Sequence, residues 1–537
     1  VKGNMKNDLL YLRPDVKVEP LFDHWYAWTH LIPPATAARN VTERHLKIMD
    51  SYINAPQVHA NAVKNPKLLG GPFIDYAGAM VEEIKALRDE TKRHRPHLIE
   101  LSQAIASLED LLRTRAKGFS MQPLYKEIPD LLKGYVELSY DLNNNPSYRL
   151  IEPLLYKSRY YDPTAQSLML SAITGDDRPF VLSTPRLESD SHFHLRAPFD
   201  HEVVDKLFGL KSSPQRWGEI SDLLSVSQNV EPLVRSFFTP EPPPPYRPYR
   251  GNGVRWRYFG HACILVETAK ISLLFDPVLS YTYETGISRY TYLDLPDSID
   301  YVVITHNHQD HVLFETLLQI RHKVKNFIVP PCSGGALQDP SLRLTLERIG
   351  CKNVIELSDL ERIEWENGSI TALPFWGEHS DLSIQSKSAH VVRIGNRALL
   401  FAADSCNLEP KLYEHLHTEI GDIDALFLGM ECDGAPLSWL YGPLLTKSIE
   451  RGMDESRRLA GSNFDQAFGL VRQFNCQSTF VYAMGQEPWL SYIMSLKYTD
   501  ESRPIVESNK LIRECQEHGL WAERLFGEKE ILLETSN

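Results

Sequence analysis

The sequence predicts an α/β protein in two parts: an α-rich, α+β N-terminal domain over residues 1–240 and a larger α/β domain over 254–537, built from two sheets with helices outside. Three observations carry this. A Pro-rich stretch, TPEPPPPYRPYRGNG at Thr239–Gly253, divides the chain. Before it, apolar residues recur at helical spacing. After it, short β-rich runs alternate with helical stretches, the pattern of a layered α/β domain.

In the first part, Leu98, Leu101, Ile105, Leu108 and Leu112 form one stripe of a helix that begins after Pro96 and stops at Gly118. Met80, Ile84 and Leu87 mark a helix before it. Pro179–Ser183 and Phe193–Leu195 read as short strands. The close pair His192 and His194 is the one histidine grouping here, and no catalytic pattern forms. The expected roles of this domain are dimerisation or partner docking, with a lid or scaffold as the alternative. The four prolines Pro242–Pro245 cannot donate backbone hydrogen bonds and favour an extended chain, so 241–253 is expected to be a linker.

In the second part, the runs Arg255–Tyr258, Cys263–Glu267, Ile271–Phe275, Tyr301–Thr305, Phe327–Val329, Ile370–Pro374, His390–Ile394, Ala398–Ala402, Ala425–Leu428 and Thr479–Tyr482 predict strands. Leu313–Arg321 and Arg457–Phe474 predict helices.

Composition narrows the function classes. With 57 Lys and Arg against 70 Asp and Glu, the net charge of −13 opposes nucleic-acid binding. No apolar run reaches the ~18 residues of a membrane span. The opening residues do not read as a signal peptide, and the seven cysteines form no CxxC pair. A cytoplasmic protein with reduced thiols is expected.

The chemistry concentrates in Tyr301–Val312, YVVITHNHQDHV. A buried strand ends in His306, His308, Asp310 and His311. On extended backbone His306 and His308 face one side, while Asp310 and His311 turn away with the chain. One loop can thus serve two metals, two imidazoles to the first and a carboxylate plus imidazole to the second.

This HxHxDH loop resembles the metallo-β-lactamase superfamily over most of residues 254–537. Gly260-His261-Ala262 and Leu273-Leu274-Phe275-Asp276-Pro277 resemble its opening strands, with Asp276 a structural residue beneath the metal loop. Phe401-Ala402-Ala403-Asp404-Ser405 resembles the strand ending in a carboxylate that bridges two metals. The implied fold is an αββα sandwich with a dinuclear site at one edge. Two departures redirect the chemistry. Where a third His is expected, the chain reads LPFWGEHSD, with Glu378 beside His379. No His occurs between His417 and His518, so the last His of hydrolytic members is missing. More carboxylates and fewer imidazoles move the set toward non-haem iron.

The α-rich first part, the Pro-rich linker and GEHSD together resemble the dinuclear-iron β-hydroxylases that serve nonribosomal peptide synthetases, over the whole chain. The resemblance implies His306, His308 and Glu378 on one iron, Asp310 and His311 on the other, and Asp404 shared. It assigns catalytic weight to Glu378 and Asp404. It further implies O2 as co-substrate, an external electron donor or reductase, a homodimer, and a carrier domain bearing an aromatic aminoacyl thioester. A p-aminophenylalanine-like substrate in antibiotic biosynthesis, as in the chloramphenicol pathway, is the implied setting.

Alternatives stand beside this reading. Glu378 could orient His379, with His379 the ligand. His261 either lines the pocket or supports the metal loop by a hydrogen bond. Trp376 is a candidate wall of the substrate channel, which is otherwise expected along the seam between the domains. The aromatic pairs Phe375-Trp376 and Trp439–Tyr441 either stack on substrate or pack the core. The competing function is a dizinc or dimanganese hydrolase of lactonase or phosphodiesterase type. A scaffold without catalysis is disfavoured by the intact metal loop.

Overall fold

A computed structural model describes residues 9–535. Two seven-stranded sheets form the C-terminal half. The first runs Val354–Glu356, Val324–Val329, Ile299–Val303, Ser272–Phe275, Ile264–Glu267, Val254–Tyr258 and Lys529–Leu533 from edge to edge. The second runs Arg362–Trp365, Gly368–Leu373, Ala389–Ile394, Arg397–Phe401, Ala425–Gly429, Ser478–Tyr482 and Trp521–Arg524.

Strand alternation explains how they stack. Ile264, Val266, Leu273, Phe275, Val303 and Ile328 face inward and meet Ile370, Val392, Leu399, Phe401 and Phe427 of the other sheet. Phe275 stacks on Phe401 with ring centroids 3.9 Å apart. Truncating such a ring to alanine typically costs about 3–5 kcal/mol. The outer face of the second sheet is covered by the helices Pro410–Ile420, Phe464–Gln473 and Arg503–Glu517 through Leu416, Leu470 and Leu511.

The outer face of the first sheet has a different cover. Leu265, Leu274, Val302 and Phe327 share one apolar core with the helices Phe314–Ile320 and Leu342–Arg348 and with the N-terminal half, from Leu10 to Phe238. The N-terminal half is therefore fused onto the sandwich through a common core. Its own four-stranded antiparallel sheet is ordered Trp25–Tyr26, Val16–Phe22, Gln166–Ala172 and Phe193–Leu195. Helix Pro96–Arg115 buries the expected stripe Leu98, Leu101, Ile105, Leu108 and Leu112. Helix Val81–His94 buries Ile84 and Leu87, while Met80 sits just outside it in a left-handed conformation.

At the seam, Arg178 donates to Glu19 (2.7 Å) and Glu315 (2.8 Å), and Arg186 donates to Glu19 (3.1 Å). Tyr26 and Tyr281 add hydrogen bonds of 2.6 Å each to Glu315. Glu315 lies in the first turn of the helix that follows the metal loop, so this buried network ties that helix to the N-terminal half.

Two element predictions differ from the structure. Pro179–Ser183 is a turn: Val181 N donates to Tyr492 O (2.9 Å) and Pro179 O accepts from Arg186 (2.9 Å), so its backbone docks a loop instead of pairing with a strand. The helix expected over Arg457–Phe474 begins at Phe464, because Asn463 and Gln466 form a reciprocal cap there. Upstream, Leu459 N and Gly461 N are spent on Ala435 O and Glu431 O. The Pro-rich segment carries no regular structure, yet it is docked, the Tyr246 hydroxyl bonding Glu267 beside Arg255 and Arg257.

Candidate metal centre

The metal loop leaves the strand Ile299–Val303 at the sandwich edge and is fixed from below by Asp276. That residue ends the strand Ser272–Phe275 and is fully buried. Asp276 Oδ1 accepts from Thr305 N (2.8 Å), and Oδ2 accepts from Thr305 Oγ1 (2.6 Å) and faces His311 Nδ1 (2.8 Å). This pairing points His311 Nε2 at Asp404 Oδ2, 3.0 Å away. His306 Nε2 lies 3.6 Å from the same oxygen.

Three sets of donor atoms converge, each within 4.8 Å: His306, His308 and Glu378; His306, His311 and Asp404; and His261, Asp310 and His311. His308 Nδ1 stands 2.6 Å from Glu378 Oε2, and His261 Nε2 stands 2.9 Å from Asp310 Oδ2. His306 Nε2, Glu378 Oε2 and Asp404 Oδ1 are buried without a well-formed hydrogen bond. Buried donors and acceptors are rarely left so, and orphans facing one another are what a bound cation satisfies. Three imidazoles with three carboxylates fit a pair of iron ions by charge and donor type.

The electrostatics match. Burial, then the neighbouring imidazoles, hold His306 well below the usual histidine value and so neutral. Burial opposes charge on His311, but Asp404, Asp310 and Asp276 outweigh it and raise that imidazole. Burial pushes Glu378 up to about 7.

Backbone strain gathers here. Asp276, Ala403 and Glu378 have φ of 36°, 47° and 68°, a left-handed region that costs such residues energy. Gly377 precedes Glu378 at φ 87°, and a Cβ there would lie 2.7 Å from Cys406 Cβ. The loop can present Glu378 only because glycine stands before it. His379 belongs to none of the three donor sets: its Nδ1 meets the Tyr441 hydroxyl at 3.0 Å and lies 3.9 Å from Glu378 Oε2, and its Nε2 is buried without a hydrogen-bond partner. Tyr441 also meets His308 Nε2 at 2.9 Å.

The chain matches two family models: the diiron non-heme β-hydroxylase N-terminal domain over residues 11–242 and the β-lactamase superfamily domain over 272–435. It is 41% identical over 522 residues, covering 96% of this chain and 98% of the relative, to the 4-amino-L-phenylalanyl-[CmlP-peptidyl-carrier-protein] 3-hydroxylase of Streptomyces venezuelae. The chain belongs to the diiron non-heme β-hydroxylase family. The crystal structure of CmlA, a diiron β-hydroxylase from Streptomyces venezuelae, superposes with a TM-score of 0.92 at 40% identity, over 98% of this chain and 100% of that one. A glutamate-to-aspartate variant of CmlA superposes at 0.90, with the same identity and coverage.

As a diiron β-hydroxylase the chain is an enzyme, and the hydrolase alternative is set aside. A cavity of about 270 Å³ opens beside the cluster, lined by His308, Asp310 and Glu378, by Trp439 and Met494, and by Leu69 and Gly70 of the N-terminal half. It therefore lies at the seam. Trp376 is not in its wall and instead accepts a hydrogen bond from Cys406 N (2.7 Å) at its backbone carbonyl. Sequence reading missed Glu431, which also lines the cavity and whose acid is raised by burial and by Asp404. It treated Trp439 and Tyr441 only as stacking or packing residues. Neither residue carries a spacing signal, since long-range folding brings both to the metal loop. Among the described residues, no helix is long and apolar enough to cross a membrane.

Proposed function

We propose that this protein is an O2-dependent monooxygenase that hydroxylates the β-carbon of an aromatic amino acid, p-aminophenylalanine or a close analogue, held as a thioester on a nonribosomal peptide synthetase carrier domain. The observation that carries this reading is the converging set of three imidazoles and three carboxylates, in a chain that parallels a carrier-protein 3-hydroxylase almost end to end. His306, His308 and Glu378 would hold one iron, Asp310 and His311 the other, and Asp404 both. When bound, the iron pair supplies the activation of dioxygen that C–H hydroxylation requires. One oxygen atom enters the C–H bond and the other leaves as water, so two electrons and two protons come from an external donor, here a cytoplasmic reductase.

The chain's own residues prepare this chemistry. Asp276 fixes the orientation of His311, and Tyr441 fixes that of His308. His261 braces Asp310. Trp439, Leu440 and Met494 give the cavity apolar walls that limit water at the reacting carbon. Tethering raises the local concentration of the aminoacyl group and delays oxidation until the carrier docks. The N-terminal half supplies part of that cavity wall and, in this reading, the dimer contact.

The test loads a carrier domain with p-aminophenylalanine and supplies O2 and a reductant to the iron-loaded enzyme. Mass spectrometry is expected to find one added oxygen on the carrier-bound residue and none on the free amino acid. Equal conversion of the free amino acid would overturn the proposal.

A further inference from the structure

The helix that begins at Pro34 does not run uniformly to Asn54. Its middle, Val41–His45, is a π-turn between α-helical segments, and such turns recur at functional sites. The turn carries Arg44, which is 8% exposed. Its Nη2 donates to Trp439 O (2.8 Å) and Leu440 O (3.1 Å), the backbone beside the metal centre's Tyr441. Its Nη1 has no hydrogen-bond partner. The nearest acid in sequence, Glu43, is occupied by Lys47 (2.5 Å) and Arg39 (3.5 Å). Burial lowers Arg44 to about 10, which leaves it charged at neutral pH. The Trp28 ring lies 5.9 Å from its guanidinium carbon, and a buried guanidinium that has two carbonyls and a ring face but no acid beside it is costly unless an anion completes it.

Arg44 lines a second cavity, about 540 Å³ in volume, with Lys47, Phe73, Phe180 and Trp439 in its wall. This cavity and the one at the metal centre share Gly70, Pro436 and Trp439 as common wall. The Trp439 indole donates to Gly70 O at 2.9 Å, so one hydrogen bond joins the two halves at that partition. Trp439 stacks against Phe180 with centroids 6.0 Å apart. The cavity thus has aromatic side chains in its wall beside Glu43 and Lys47, a buried guanidinium with one unpartnered nitrogen, and a boundary common to the reaction chamber.

We propose that Arg44 is a phosphate subsite that binds the phosphodiester of a 4′-phosphopantetheine arm, the aromatic walls holding the pantetheine chain on its way past Trp439. The inference rests on the carrier-bound substrate proposed above and adds to it an anchoring residue. Nη2 is held by the two carbonyls, so Nη1 is the nitrogen left for a charge-assisted hydrogen bond to a phosphate oxygen.

The test titrates the iron-loaded, full-length protein with 4′-phosphopantetheine and with pantetheine in a calorimeter. The phosphorylated compound is expected to bind at least about tenfold tighter, a typical gain for one charge-assisted contact. That difference should vanish in Arg44→Met at unchanged iron content and partly persist in Arg44→Lys. Equal binding of the two compounds by the wild type, or full discrimination by Arg44→Met, would overturn the subsite. Crystals grown with 4′-phosphopantetheine decide without any variant: phosphate at Arg44 supports the proposal, and phosphate elsewhere refutes it. Hydroxylation confined to the carrier-bound amino acid without phosphate discrimination would remove the subsite and leave the function standing. Equal hydroxylation of the free amino acid would remove the function, whatever Arg44 binds.

Discussion

Glu378 Oε2 lies 2.6 Å from His308 Nδ1, whereas the adjacent His379 points its Nδ1 at the Tyr441 hydroxyl, 3.0 Å away. Two consecutive residues therefore serve different ends. Glu378→Ala is expected to lower iron content from two ions per chain toward one, and His379→Ala to leave two bound. Elemental analysis of both purified variants checks this. Loss of iron from His379→Ala alone would make His379 the ligand.

Tyr441 joins His308 Nε2 to His379 Nδ1 through one hydroxyl. Tyr441→Phe keeps the ring and removes the joint. Loss of the hydroxyl's two hydrogen bonds predicts a stability decrease of about 1–3 kcal/mol. A larger effect is expected on metal affinity, about 10- to 100-fold at the position held by His308, since outer partners orient ligands. Competition with a chelator measures it, and an unchanged affinity would remove Tyr441 from the site.

How much of this was legible beforehand depends on distance along the chain. The metal loop spans six positions, so its spacing alone announced a two-metal site. Glu378 and Asp404 stood out because GEHSD and FAADS resemble segments of known families at those places. Glu431 and Gly70 were not legible as site residues, because only tertiary packing brings them to the loop, and Trp439 and Tyr441 were legible only as aromatics that stack on substrate or pack the core. The sandwich strands were visible as short β-rich runs closed by Gly, Asp, His or Pro, and several of them are buried along their whole length. The common core was not, because Leu98 and Leu265 look alike whether they pack within one domain or across two. Pro179–Ser183 looked like a strand because an apolar run does not reveal where its backbone groups bond.

The seam network makes a second class of prediction. Arg178→Met leaves Glu19 and Glu315 buried without their shared cation, which should cost about 3–5 kcal/mol at pH 7. Burial opposes charge on Glu19, but Arg186, Arg178 and Lys17 together outweigh it and hold its acid well below the usual glutamate range. A lowered carboxylate stabilises the fold above its unfolded value, and that contribution is lost as pH falls through the folded value. In Arg178→Met the carboxylate protonates more readily, so the penalty should shrink between pH 7 and pH 5. Urea midpoints at the two values measure it, and a penalty independent of pH would contradict the assignment.

Glu152 predicts the opposite slope. Burial pushes its acid from 4.5 to about 7, although Ser341 N donates to it at 3.1 Å. A raised carboxylate gives its full contribution below the unfolded value and loses it as pH rises through the folded one. The wild type should therefore lose about 3 kcal/mol from this group between pH 4.5 and pH 8. Glu152→Gln keeps an acceptor for Ser341 and should be the more stable protein at pH 8, with a flatter profile. Thermal melts across that range compare the slopes, and parallel curves would refute the role of Glu152.

The central claim is that three imidazoles and three carboxylates enclose a redox-active metal pair. Elemental analysis of the purified full-length protein, taken with its optical spectrum, tests it most directly. Two irons per chain, with a near-ultraviolet band that bleaches on reduction, is the predicted result. Two zincs in a colourless protein that hydroxylates nothing when supplied with iron would contradict it.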